Sequence, residues 1–523
     1  MAQESIKNLK KRIEKAEAIK EDRRSLDESA YEIAMPQRNL YTKTNQGDSR
    51  MNGVYTSMGM STVNNFVNNM QNSLTPPFTR WAQLQAGDAV GEDQEGEFNE
   101  VLEKLTEKIF SFLDASNFAT ASSEMYFDLV VGTGALLINK GEFDKPLNFT
   151  AVPTAQLALE EGVFGDIGGI FRKHKIPARL IEHTWTDAKI PPKMEQMIKD
   201  KPTEDIILDE VTYHDMDSDT WYYEILWMDS GREEERLVTR VTKYNPWVIV
   251  RWSKIAGEVF GRGLLLQALP DLKMLNHGQE MAAVSVQMNA FGSYTMEEDG
   301  ILNTDTAEIN PAGILVVKKN SGGGQSPSID ALPRVGDSRA QEFFFTGLED
   351  NIKKIMMDNK LPDQTAAVRS PTEIVERIKE FQADFGAAFG RLMHEYVNPL
   401  FKTVIQILDE AGAIEVPVIK IGDEKKKITD DVAFTKIKML APVAKSQALE
   451  DVQSVVQSIQ MAQGIEPRLP LVGYKVEELP KFFAEKLGMP TELVRSTAEQ
   501  EQAMGMLTQI LGGQEAAQGA PPA

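Results

Sequence analysis

Apolar and polar positions recur in two different rhythms along this chain, and the change of rhythm divides it. Ile6, Leu9, Ile13 and Ala16 fall at helical spacing with charges between them, so the sequence opens on an amphipathic helix. A second helix is predicted over 61–74, where Val63, Phe66, Val67, Met70 and Leu74 share one face. Thr75-Pro76-Pro77 ends it, because proline cannot continue a helix and restricts the residue before it. Trp81 and Leu84 begin an extended piece. Residues 94–139 read as an acidic helix, then NFATASSEMYFDLVVGTGALLI, a helix running into a buried strand. From about 147 to 252 the period changes to two. VTYHDM and TWYYEILWM flank a turn at Asp217-Ser218-Asp219, and Asp229-Ser230-Gly231 turns into RLVTRV. With NPWVIVRW as a further strand, this region predicts an antiparallel meander.

The most informative stretch runs from about Gly263 to Asn359. Gly261-Arg262-Gly263 leads into a helix in which Leu265, Ala268, Leu272, Leu275, Gln279, Ala282 and Val286 form one stripe. Ala282 and Ala283 keep part of that helix thin, so a neighbour can pack close. A glycine-rich loop-and-strand insert follows, and then Phe345, Leu348, Ile352 and Ile355 repeat the helical pattern. Two helices carrying a small β-module at their far ends make a poor enzyme cleft but a good wall element for a ring. The plainer alternative is two ordinary core helices joined by a loop. Ser370-Pro371-Thr372-Glu373 is a helix start, with Ser370 as cap, Pro371 in the first turn and Glu373 returning a bond to the cap amide. Ile374, Ile378, Phe381, Phe385, Phe389, Leu392 and Tyr396 continue it, with a kink or break expected near Pro399. A β-hairpin is predicted in PVIKIGDEKKKITDDVAFTKI, helix from Ala444 through Leu511, and a disordered tail in GGQEAAQGAPPA.

Composition narrows the function classes. At 523 residues the chain exceeds one ordinary core. A net charge of −22 argues against gripping nucleic acid through its phosphates, which needs clustered Lys and Arg, but not against letting DNA slide past. With no cysteine there is no disulfide framework, thiolate zinc site or cysteine nucleophile. The charged N-terminal stretch does not read as a signal peptide. The longest apolar run, around Leu129–Ile138, is far shorter than the roughly 20 residues a bilayer requires, so a soluble, intracellularly made protein is expected. No Walker loop is present, and His174, His183, His214, His277 and His394 lie far apart. Asp215-x-Asp217-x-Asp219 resembles the start of a calcium loop, but Thr220 stands in place of its glycine and Leu226 in place of its glutamate, so a solvated hairpin turn is expected. No catalytic residue, metal site or cofactor is predicted.

Four stretches resemble, in order, segments of the portal proteins, the head-to-tail connectors of short-tailed bacteriophages. VNNFVNNMQNSLTPPFTRWAQL is similar to the family's early helix, proline break and Trp-x-x-Leu segment, and NFATASSEMYFDLVVGTGALLI to its helix and glycine-interrupted strand. EVFGRGLLLQALPDLKMLNHGQEMAAVSVQMNA resembles its glycine-flanked approach to the first channel helix, and RSPTEIVERIKEF the start of its long helix. The resemblance implies an α+β, mainly helical portal fold with wing, stem, clip and crown regions, assembled as a ring, typically of twelve copies. Residues 1–262 would form the wing, 263–290 the first stem helix, 291–336 the clip and 337–359 the second stem helix. Residues 360–370 would be a tunnel loop, 371–440 a long wing helix and β-hairpin, 441–511 crown helices and 512–523 a disordered tail.

Such a ring sits in the virion at one capsid vertex and passes double-stranded DNA without reading its sequence. The implied partners are the terminase large subunit, the major capsid and scaffolding proteins, tail adaptor and nozzle proteins, and internal core proteins; no membrane is implied. A ring of about a dozen such chains would carry on the order of −260, which avoids braking the duplex. Lys353, Lys354, Lys360 and Arg369 are the candidates for steadying DNA in the channel, against ordinary solvated or salt-bridged lysines. Gly322, Gly323 and Gly324 are candidates for a clip tip that docks partners, against a merely flexible turn. The alternatives are another virion structural protein, such as a tail adaptor or capsid component, and a nucleic-acid enzyme of phage replication, such as a nuclease or terminase subunit, which would need a carboxylate–metal cluster or a Walker loop.

Overall fold

The structure is a computed structural model that describes residues 4–41, 47–87, 90, 92–142, 145–228, 235–291, 294–296, 329–331, 338–358, 386, 388–421, 424–427, 435–440, 442–465, 479 and 482–483. Helix α1 (Ile6–Ala34) starts where the Ser5 side chain accepts the Asn8 amide, and it straps two bodies together. Its first half lays Leu9, Ile13 and Ala16 on Phe171, Val211, Tyr213 and Leu226 of a sheet. Its second half sends Ala30, Tyr31 and Ala34 into a separate, helical core. That helical core also takes α2 (Met58–Leu74), α3 (Glu92–Ala115) and α4 (Phe118–Leu129). Helix α2 stops at Thr75, before the two prolines, as its sequence predicts.

Strand β1 (Ala82–Ala86) follows α2. After α4 come β2 (Thr133–Glu142) and β3 (Lys145–Ala151), then β4 (Leu157–Glu161) and β5 (Ile167–Pro177). The short helices α5 (Ile181–Thr184) and α6 (Pro192–Asp200) precede β6 (Asp205–Asp215), β7 (Thr220–Trp227), β8 (Glu235–Thr242) and β9 (Trp247–Arg251). Strands β4 to β8 form a five-stranded antiparallel sheet in chain order, which is the predicted meander. The period-two reading of 147–252 is corrected at α5 and α6. The sheet face opposite α1 is apolar too, and Ile181, Trp185 and Met194 cover its Leu208, Tyr223 and Ile225. The turn Asp217-Ser218-Asp219 closes on itself, with the Ser218 hydroxyl donating to Asp215 at 2.8 Å and the Asp217 amide reaching the same carboxylate at 3.2 Å. The predicted turn at Asp229-Ser230-Gly231 lies outside the described residues.

Strand β9 leaves the meander for a second sheet of order β3-β2-β9. Alternation along β2 serves two cores: Leu136 and Ile138 face the helices, while Ala135 and Leu137 face Leu159, Ile170 and Trp247. Helix α7 (Leu264–Phe291) then leaves the core, β10 (Tyr294–Met296) pairs antiparallel with β11 (Ile329–Ala331), and α8 (Ser338–Ile355) returns. The helix start predicted at Ser370-Pro371-Thr372-Glu373 lies outside the described residues, as do Ile374, Ile378, Phe381 and Phe385.

A π-turn, Met393–Val397, runs into α9 (Asn398–Glu410). The break expected near Pro399 is instead an insertion just upstream. Proline lacks an amide and crowds the carbonyl four residues back, which falls inside that π-turn, so the helix widens and carries on. The hairpin β12 (Val418–Ile421) and β13 (Glu424–Lys427) is as predicted. Strand β14 (Thr435–Met439) returns to pair with β1, Leu84 opposite Ile437. Helix α10 (Pro442–Ile465) covers the first part of the predicted C-terminal helical region; of the rest, only residues 479 and 482–483, which are helical, are described.

Candidate functional site

The stretch that sequence singles out is built on one glycine contact. A Cβ at Gly263 would collide with the Val130 carbonyl oxygen, and one at Gly261 with the Gly132 carbonyl oxygen. The glycine-interrupted strand and the Gly-Arg-Gly approach to α7 are therefore two halves of a single joint. Its backbone bonds are Gly263 N–H to the Val131 carbonyl at 2.8 Å, Leu265 N–H to Val130 at 3.0 Å and Trp252 N–H to Gly132 at 2.9 Å. Side chains would hold these backbones apart, which is why the positions are glycine.

Arg251, the last residue of β9, fastens the same joint from behind. Its guanidinium donates to both carboxylate oxygens of Glu395, at 3.1 and 2.7 Å, to the Val259 carbonyl at 3.3 Å and to the Gly165 carbonyl at 3.1 Å. Glu395 sits in the π-turn, so one ion pair links the base of α7, the tip of the β4–β5 hairpin and the helix ahead of α9. Sequence reading passed over both residues. The signal was available: an arginine ending the apolar run WVIVR has little reason to be there unless it is paired.

A second polar cluster anchors α1 beneath α4. The Tyr31 hydroxyl donates to the buried Asp128, whose carboxyl burial pushes up to about 6 even though that bond opposes the shift. Asp27 is likewise raised by burial, against the pull of Arg23 at 2.9 Å.

Helices α7 and α8 pack on each other where Gly278 admits the Phe345 ring, one turn before the thin Ala282-Ala283 step that sequence marked. The predicted stripe then divides. Leu265, Ala268, Leu272 and Leu275 are buried against the core, with Leu348 and Ile352 of α8. Gln279 and Ala282 are half-buried, and Val286 is 66% exposed. Other faces of this outer part of the pair present Met281 at 51% exposure, Val284 at 40%, Phe343 at 82% and Phe344 at 49%. Pro270 lies within α7 without ending it, a position that sequence reading did not mark.

Of the channel candidates, Lys353 and Lys354 lie in the last turn of α8; Lys353 is half-buried, 3.8 Å from Asp350, and Lys354 is exposed. Lys360 and Arg369 lie outside the described residues, as do Gly322, Gly323 and Gly324. Among the described residues no group of histidines and carboxylates is placed to hold a metal ion, and no helix is long and apolar enough to cross a membrane.

Comparisons with known proteins identify the family. The chain is 20% identical over 471 residues to a probable portal protein of Bordetella phage BPP-1, covering 86% of this chain and 81% of that one. Among solved structures it is similar to a chain in the neck of an empty gene transfer agent particle, at 14% identity and TM-score 0.38 over 87% of this chain and 98% of that one. It is also similar to a chain in the virion of a native gene transfer agent, at 12% identity and TM-score 0.35 over 88% and 99%. Those two likenesses are too distant to bear on the fold. The model of the family described as bacteriophage head to tail connecting protein matches residues 6–494, nearly the whole length, and the chain belongs to that family.

Proposed function

We propose that this connector works as a portal subunit: copies close into a ring at one capsid vertex, and the ring is the passage through which double-stranded DNA is packaged and ejected. The observation that carries the reading is the divided stripe of the α7–α8 pair. The inner half is buried within the chain, while the outer half leaves Val286 of the stripe in water, together with Phe343 and Phe344 on other faces of α8. Apolar side chains in such a row gain by meeting a neighbour, at roughly 25 cal/mol per Å² covered. A subunit that joins its neighbours on two different faces closes into a ring or runs on as a filament, and a connector needs the ring.

On this reading α7 and α8 are the stem, residues 291–336 the clip and 360–370 the tunnel loop. The region before α7, with 371–440, is the wing, and α10 begins the crown. Twelve copies is the number carried over from the family resemblance. Terminase and the tail proteins dock at the clip, with Gly322, Gly323 and Gly324 at its tip, and the capsid, scaffolding and internal core proteins meet the wider part of the ring. Lys353, Lys354, Lys360 and Arg369 steady the duplex in a bore that is otherwise acidic or neutral, where tight phosphate binding would act as a brake. The family is structural rather than catalytic.

Negative-stain images of the purified full chain test the reading: flat rings with a central hole are expected, and a compact monomer at every concentration contradicts it. In particles carrying alanine at those four cations, rings should form while DNA packaging or retention falls. Unimpaired packaging would remove the channel assignment and leave the ring.

A further inference from the structure

A large cavity among the described residues lies away from the α7–α8 pair. It is a groove of about 1640 Å³, lying where the β4–β5 turn, strand β9, the π-turn with α9, and strand β14 come together. That is larger than the roughly 300–1,000 Å³ of a small-molecule pocket and suits a stretch of polypeptide. Its apolar walls include Trp221, Tyr244 and Ile405. Its charge runs against the rest of the protein: six lysines and arginines line it against two carboxylates, Asp166 and Glu395, in a chain of net charge −22. Glu395 is already bound by Arg251, and Lys254 is held by Glu161 and by the Gly165 carbonyl at 2.8 Å. Arg391 is different. Its Nη1 is shut away from solvent and has no hydrogen-bond partner among the described residues, which is costly for a cation unless something arrives to meet it. At the rim, the β4–β5 turn holds Val163 69% and Phe164 95% exposed.

We propose that this groove receives an acidic face of a second copy of this chain, as a contact between neighbours separate from the outer ends of α7 and α8. The proposal rests on the ring reading above. In a head-to-tail ring each interface joins two different patches, so a cationic groove on one copy must meet something else on the next. The chain has 78 carboxylates against 56 lysines and arginines, while the groove gathers cations, so one copy can supply both halves of the match. Carboxylates arriving there pair with Arg391 and with the exposed Lys402, and the incoming backbone covers Val163 and Phe164.

The test uses the full chain with Lys402→Glu and Lys436→Glu, two residues of the groove rim, against the matching Gln pair. Sedimentation velocity across protein concentration, at low and at high salt, reads assembly. We expect the wild type to assemble, less readily at high salt. The Glu pair should need at least tenfold more protein for half-assembly, the Gln pair should fall between, and the thermal unfolding of all three should coincide. If the wild type assembles and the Glu pair assembles equally well, the groove is not a contact between copies and the ring stands. A wild type that stays monomeric removes both. A second measurement does not depend on charge. The natural chain has no cysteine, so Phe164→Cys carries a unique thiol for a benzophenone maleimide. Irradiation of assembled protein should give adducts between copies. Adducts only within one chain, or only to added DNA, would overturn the proposal.

Discussion

The inner and outer halves of the α7–α8 pair both carry large apolar side chains and meet opposite fates. Inside, Leu265, Ala268, Leu272 and Leu275 reach full burial because α1, α2 and the Gly132–Gly263 joint close around them. Outside, Met281, Val286 and Phe343 stand exposed, past the described elements that close around the inner half. A hydrophobic stripe therefore states only that something will pack there. Whether that is the same chain or another depends on where the core ends.

Substitutions at the joint should do most harm. Gly263→Ala sets a methyl against backbone at Val130, which cannot swing aside, so a loss of ~3 kcal/mol or more is expected in urea unfolding. Gly278→Ala is the milder control, because its new methyl meets only the edge of the Phe345 ring. If both cost the same, the joint is not the rigid base described here. Arg251→Met belongs to the same class: it strands the half-buried Glu395 carboxylate and should cost about 2–4 kcal/mol, with Arg251→Met/Glu395→Met recovering much of the loss.

Along the stripe, Leu272→Ala should cost about 2–5 kcal/mol of chain stability. Phe343→Ser should leave the unfolding of the isolated chain within about 0.5 kcal/mol while weakening assembly. Equal effects of the two on chain stability would erase the distinction between the halves.

The helical body should also respond to pH. Burial raises the Asp128 carboxyl to about 6, above its unfolded value of roughly 4, so the folded state binds the extra proton. The favourable contribution is complete below the unfolded value and is lost as pH rises through about 6. Unfolding free energy should therefore fall by no more than ~2–3 kcal/mol between about pH 4 and pH 7 from this group, and Asp128→Asn should flatten that part of the profile.

Most helices were legible in the sequence because their signal is local. The faces of α1, α2 and α8 follow from spacing alone, and Thr75-Pro76-Pro77 marks a boundary that the structure keeps. Pairings across long separations were not legible. Nothing in the short segment around Leu84 specifies Ile437 as its partner, since strand register is settled by tertiary contacts rather than by period. The same holds for β9, whose apolar run does not say which of two sheets it joins. In the site, the helix pair was readable. The joint was visible only as two unrelated glycine motifs, and Arg251 with Glu395 as two ordinary charges, because their meaning lies in a contact that sequence does not display.

The central claim is that the outer half of the α7–α8 pair is covered by neighbouring copies. Hydroxyl-radical footprinting of the full chain, below and above its assembly concentration, reads this most directly. Met281 and Phe343 should lose most of their reactivity on assembly, while Met216, 59% exposed at the tip of the β6–β7 turn, serves as the reference. Unchanged reactivity of Met281 and Phe343 in assembled protein would contradict the account.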